Sequence, residues 1–217
     1  MKNSGAAAMA LVLACASASA LAAERTPGKW YVGGSLGKGG YKTGYQRTAD
    51  TIFSTGATSV TVVPDVTQTM WKLYAGYNLT PQFSIESGYW NFGRPSYTAN
   101  ISAPVVTSMR RTFTAQGFGT SLVYWLPVNE NFSAFGKVGG MLTNATASSA
   151  DPGAGLGTLP SETARRLNWS FGLGAQYDFS ANMSGRMEYE AVRKIGDEGK
   201  FGTANVGMWS VGLNYRY

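Results

Sequence analysis

Apolar residues alternate with small or polar ones in eight separate stretches of this chain. In an extended strand, a period of two sends one set of side chains to one face and the other set to the opposite face. The cleanest stretch is 167–178, where Leu167, Trp169, Phe171, Leu173, Ala175 and Tyr177 oppose Asn168, Ser170, Gly172, Gly174, Gln176 and Asp178. The same alternation predicts strands around 30–37, 70–79, 83–89, 117–126, 132–142, 186–191 and 208–217. The last sets Trp209, Val211, Leu213, Tyr215 and Tyr217 against Ser210, Gly212, Asn214 and Arg216.

Long stretches (38–66, 93–110, 143–164 and 193–202) alternate with tight turns at Thr80-Pro81-Gln82, Asn129-Glu130-Asn131 and Ser180-Ala181-Asn182. A meander whose two ends face different surroundings accounts for that alternation. The expected fold is all-β: an eight-stranded antiparallel up-and-down transmembrane β-barrel. Eight strands enclose a bore just wide enough for side chains to fill. A soluble barrel of the lipocalin type would instead turn its apolar face inward, around a ligand. The charges decide between the two. Lys72, Glu86, Lys137, Arg186 and Glu188 all fall mid-strand on the glycine- and serine-rich face, and the opposite face carries no mid-strand charge. A Lys or Arg on the lipid face at the midplane costs about 2–4 kcal/mol, so the charged face is the inner one.

Composition narrows the chemistry. Aromatic residues at 13%, 28 glycines and only 14% charged residues suit a β-chain with many turns. No internal apolar run reaches the ~18 residues of a spanning helix, which leaves strands to cross the bilayer. The absence of histidine removes imidazole bases, Ser-His triads and His metal sites. No enzyme activity, cofactor or metal is expected. Lys2, the apolar run 6–14 and the small residues up to Ala22 predict a signal peptide over 1–22, with the barrel over 23–217. Its removal takes the net charge from +6 to 6 − 1 = +5. A lipoprotein box at Val12-Leu13-Ala14-Cys15 fits less well, because leucine stands before the small residue and a better cleavage site follows. The closing strand, with Trp209, Val211, Leu213, Tyr215 and the terminal Tyr217, is similar to the C-terminal signal that outer-membrane barrels present to the assembly machinery.

Several stretches resemble the OmpA-like transmembrane β-barrels of Gram-negative outer membranes. They are Trp30-Tyr31-Val32-Gly33 with Leu36-Gly37, Glu86 through Gly93-Arg94, Gly139-Gly140-Met141, Arg186-Met187-Glu188-Tyr189, Ile195-Gly196-Asp197 and Tyr215-Arg216-Tyr217. The resemblance implies an eight-stranded barrel in the outer membrane that serves envelope integrity and surface interaction. Two departures are expected to matter. Larger members carry a periplasmic peptidoglycan-binding domain after the barrel, whereas this chain stops at Tyr217. Some members also hold a second lumen lysine–carboxylate pair, at positions that look like Val123 and Gln176 here, both neutral.

Two constellations are candidate sites. Lys72, Glu86, Lys137, Arg186 and Glu188 form an expected lumen charge network, a plug or an ion gate, with Glu86 and Arg186 meeting across the bore. Arg110, Arg111, Arg165, Arg166, Arg193 and Lys194, with Lys38 and Lys42, fall where strands meet long loops. Guanidinium groups suit phosphate bidentately, so these predict a rim contacting lipopolysaccharide. Trp30, Phe83, Tyr177 and Tyr217 on one side, and Trp71, Tyr89, Trp169 and Trp209 on the other, predict two interfacial girdles. The expected partners are outer-membrane lipid, lipopolysaccharide and the barrel assembly machinery. Nucleic acid is not expected, and the chain is expected to be a monomer. The favoured role is structural and surface-interacting; the alternatives are a narrow diffusion channel for small solutes, and an adhesin or phage-attachment protein acting through the long loops.

Overall fold

The computed structural model describes residues 25–43, 59–103, 107–149 and 161–217. The expected signal peptide lies outside them. The described residues form ten strands: β1 Trp30–Thr43, β2 Ser59–Asp65, β3 Thr67–Asn78, β4 Phe83–Asn91, β5 Ser96–Ala103, β6 Thr107–Pro127, β7 Phe132–Ser149, β8 Glu162–Asp178, β9 Met183–Asp197 and β10 Gly202–Arg216. Eight of them close a circuit in the order β1-β3-β4-β6-β7-β8-β9-β10 and back to β1, every pairing antiparallel. The closing seam runs from Tyr31↔Arg216 to Thr43↔Ala204, and the backbone of Tyr217 adds a hydrogen bond to the Trp30 carbonyl at 3.1 Å. Closure leaves no unpaired strand edge within the hydrocarbon, as a lipid-spanning sheet requires.

Burial follows the alternation read from the sequence. Leu36, Leu73, Phe118, Leu167, Trp169, Leu173, Val211 and Leu213 are exposed on the outside, while Lys72, Glu86, Lys137, Arg186 and Glu188 are buried inside. The expected girdle aromatics are largely exposed and pair with ring neighbours on adjacent strands: Trp30 with Tyr77, Phe83 with Tyr124, Trp71 with Tyr89 and Trp209 with Tyr189.

The long connections differ from the expectation. The first two contain strands: β5 pairs with the beginning of β6 (Ser96↔Thr112 to Ile101↔Thr107), and β2 pairs with β5. β5 thus continues β4, and β2 leads into β3, so the wall rises well above the girdle. The join is a kink, not a loop. Phe92 N donates to Ala115 O at 3.0 Å and Phe113 N to Pro95 O at 2.8 Å, which keeps β6 paired across it. Gly93 sits at φ 76 there, and a Cβ on it would lie 2.8 Å from Gln68 Cβ and 2.9 Å from Thr69 O. The polar, Thr- and Ser-rich composition of these stretches concealed them, because strands standing clear of lipid need no greasy outer face. The fourth connection is short: β9 runs to Asp197 and β10 starts at Gly202, so the alternation of long and tight connections breaks at this hairpin. Lys194 at φ 55, Gly196 at φ 104 and a register shift between Ala204 and Val206 bend it.

Candidate functional site in the barrel lumen

The bore is filled in three layers. The middle one is ionic. β3 supplies Lys72, β4 Glu86, β7 Lys137, and β9 supplies Arg186, Glu188 and Glu190, each on the inward parity of its strand. Arg186 Nη1 bonds Glu86 Oε2 at 2.6 Å, and Lys72 Nζ bonds Glu188 Oε2 at 2.7 Å and Glu190 Oε2 at 3.0 Å. Lys137 Nζ lies 2.5 Å from Glu188 Oε1, 3.1 Å from Glu190 Oε2 and 3.5 Å from Glu86 Oε1. Three cations therefore face three carboxylates, and their side chains are at most 1% exposed. Balance matters here, since one unpaired charge in such a place is strongly destabilising. All five singled-out lumen residues come together. Glu190, not singled out, is the sixth; it shares the parity of Arg186 and Glu188, and that was the available signal.

Neutral groups complete the layer. Tyr31 OH donates to Glu86 at 3.1 Å, and Trp90 Nε1 donates to Glu190 at 2.9 Å. The guanidinium of Arg186 sits among four rings, 4.7 Å from Tyr74, 4.8 Å from Phe135, 5.2 Å from Trp125 and 5.7 Å from Tyr31. Aromatic faces attract a desolvated cation, so the cage supplements the single carboxylate bond. Nothing in a period-two pattern shows such a cage, which depends on which inward residues share a level.

Below the charges lie Val123, Trp125 and Phe135, an apolar cluster. Arg25, which precedes β1, reaches back into this mouth of the barrel. Its guanidinium carbon is 3.4 Å from the Trp125 ring centroid, and Nη1 donates to Ser133 Oγ at 3.4 Å. Burial lowers its basicity from the ordinary arginine value, and Asp178 acts in the opposite sense. A hydrogen-bonded chain crosses the same end, with Tyr74 OH donating to Asn214 at 2.6 Å, Asn214 to Gln176 at 2.9 Å and Gln176 to Asp178 at 3.0 Å, and Asp178 forms an ion pair with Arg216 at 2.5 Å. Gln176 thus belongs to this polar chain, and Val123 to the apolar cluster.

Above the charges the lumen is hydrophobic, which a simple polar-inside reading does not anticipate. Met70, Met141, Met208, Trp90, Phe92 and Ile195 pack as one buried cluster, extended by Tyr41, Val192 and Val206. The bent β9–β10 hairpin delivers Ile195 and Val206 to it. Asn168 Nδ2 holds the bend by donating to the carbonyls of Arg193 and Lys194, both at 2.7 Å.

The basic rim does not gather into one patch. Arg165, Arg166, Arg193 and Lys194 are exposed where the start of β8 runs beside the end of β9, far from the turn that joins the two strands, and Lys194 lies 4.0 Å from Glu198. Arg110 stands on the rising part of β6, where its Nη2 donates to Ser96 Oγ at 3.0 Å. Arg111 is buried on the inward parity beside Phe113, so it is turned away from lipid. In the closing strand, Trp209, Val211, Leu213, Tyr215 and Tyr217 all face outward and are exposed.

A family model described as the OmpA-like transmembrane domain matches residues 26–217. Outer membrane protein A of Yersinia pseudotuberculosis serotype I is 30% identical over 189 residues, covering 87% of this chain and 48% of that protein. Outer membrane protein A of Klebsiella pneumoniae is 27% identical over 199 residues, covering 87% of this chain and 51% of that protein. The chain spans about half the length of these curated relatives. Among solved structures, Neisserial surface protein A matches with a TM-score of 0.55 at 12% identity, covering 87% of this chain and 97% of that one, a likeness of fold. The inward charges, the outward apolar faces and the match across nearly the whole barrel lead to one assignment: this chain is an outer-membrane β-barrel that belongs to the OmpA-like transmembrane domain family.

Proposed function

We propose that this barrel is a closed structural element of the outer membrane whose lumen is plugged, with basic side chains at its outer end contacting lipopolysaccharide. The observation that supports the plug is the neutral cluster of Lys72, Lys137 and Arg186 with Glu86, Glu188 and Glu190, sealed above by Met70, Trp90, Met141 and Met208. An ion entering the bore would have to part ion pairs at 2.5–3.1 Å and then cross hydrocarbon. The purified protein in planar bilayers should show no unitary conductance under conditions where a porin conducts. Regular channel steps would replace the plug with the narrow diffusion-channel reading.

Lipopolysaccharide contact falls to Arg165, Arg166, Arg193 and Lys194, four exposed members of the rim that lie together where the start of β8 runs beside the end of β9. Exchanging all four for Gln should lower the lipopolysaccharide that co-purifies with the protein, and equal retention would refute the contact. For the closing strand, the outward row ending in Tyr217 is the surface offered to the assembly machinery. Tyr217→Ala should slow the appearance of the heat-modifiable folded form in cells; an unchanged rate would remove Tyr217 from that role.

A further inference from the structure

The lipid-facing wall is not uniformly convex. A groove of about 680 Å³ runs down it across β3, β1, β10 and β9. Its floor is Gly34, an outward position whose register partners are Leu73 on one side and Leu213 on the other. Leu36, Trp71, Leu73 and Leu213 stand as its walls, all exposed. At its lower end the Phe179 ring lies over a second outward glycine, Gly185, whose added Cβ would be 2.8 Å from that ring. Lys72 and Arg186 also border the groove but are buried within the lumen, so the surface it offers is hydrocarbon.

The next outward positions up β1 from Leu36 include two cations. Lys38 is exposed opposite Trp209 and Thr69, and Lys42 is exposed opposite Asn205. Neither register partner of Lys38 is charged, whereas the β1–β3 register, continued two residues past Gly40↔Thr67, brings Asp65 level with Lys42. Trp71 and Trp209 place this pair at the girdle, where hydrocarbon gives way to headgroups.

We propose that the groove holds one acyl chain of a phosphorylated outer-leaflet glycolipid of the lipid A type, whose phosphate is met by Lys38 and Lys42. Any lipid-facing surface is covered by lipid, and here the shape and the charge select one kind. A chain lying over Gly34 touches walls on two sides as well as the floor, gaining dispersion contacts that a convex wall does not offer. An ammonium at the headgroup level attracts an anionic lipid with the long reach of a surface charge. The proposal rests on and deepens the lipopolysaccharide reading above: Lys38 and Lys42 belong to the rim expected from the sequence but not to the four-residue group on β8 and β9, and the groove adds a hydrocarbon subsite.

Native mass spectrometry of the purified full-length barrel, titrated with lipid A and in parallel with phosphatidylglycerol, tests it. Gly34→Leu fills the floor; the nearest atom to its new Cβ would be Leu73 Cδ2 at 3.1 Å, the end of a flexible side chain. Lys38→Gln with Lys42→Gln removes the cations, and heat-modified mobility establishes that each variant is folded. Both variants should bind lipid A more weakly, the lysine variant by about fivefold or more, at least the scale of one basic residue at an anionic surface. Binding of the de-acylated phosphorylated headgroup should fall in the lysine variant only. Undiminished lipid A binding by Gly34→Leu overturns the groove, even where the four-Gln rim variant loses lipid and the rim reading stands. Loss in Gly34→Leu with an unchanged rim variant leaves the groove standing and refutes the rim. Equal binding of phosphatidylglycerol with the same dependence on Gly34 overturns the choice of lipid A.

Discussion

Glu86 is the residue on which the lower half of the ionic layer turns. It accepts from Arg186 at 2.6 Å and from Tyr31 at 3.1 Å, and Lys137 stands 3.5 Å away. Without it, Arg186 keeps only Glu188, at 3.9 Å, and its ring cage. Lys137 retains Glu188 and Glu190, so the loss falls on one cation. Glu86→Ala is therefore expected to lower stability by about 3–5 kcal/mol, the cost of breaking a buried pair from one side. Urea unfolding into lipid vesicles, followed by heat-modified mobility, measures this; an unchanged midpoint would mean that the ring cage alone satisfies Arg186. The five charges were legible because each broke the rule that mid-strand positions are uncharged. Tyr31, Tyr74 and Trp125 were not, because an aromatic on either face of such a strand passes as packing until its level in the bore is known.

Among the elements, the barrel strands were legible where they cross hydrocarbon and illegible where they leave it. β8 was read from Leu167 to its end at Asp178, because Leu167 through Tyr177 must satisfy lipid on one side and the lumen on the other, while its first residues, 162–166, fell at the edge of the long connection expected over 143–164. β2, β5 and the first part of β6 carry Thr, Ser and Asn on their outer sides, where water accepts them, and the two-residue period loses its contrast. The kink between β4 and β5 depends on Gly93, at φ 76 with no room for a Cβ. Gly93→Ala should cost about 1–3 kcal/mol, the strain of a non-glycine residue held in that region. Gly40→Ala, beside the matching break before β3, is a control: its Cβ would meet nothing nearer than Val66 O at 3.9 Å. Equal unfolding midpoints for the two variants would show that the kink relaxes freely.

At the scale of the whole molecule, the proposed plug consists of two obstructions of independent chemistry. The ionic layer blocks by attraction between its own members. The cluster of Met70, Trp90, Phe92, Met141 and Met208 blocks by volume and by the cost of bringing a charge into hydrocarbon. Trp90 joins the layers, since its Nε1 donates to Glu190 while its ring packs among the methionines. The two obstructions lie in series along one bore, and so relieving either one leaves the other. Glu86→Ala alone is expected to remain non-conducting in planar bilayers, and Trp90→Ala alone likewise. The double variant Glu86→Ala/Trp90→Ala should show small, regular conductance steps, because it removes a carboxylate bridge below and the largest side chain above. Steps from Glu86→Ala alone would mean that the methionine layer yields to ions, and the barrel would then be a gated channel with its gate in the charges.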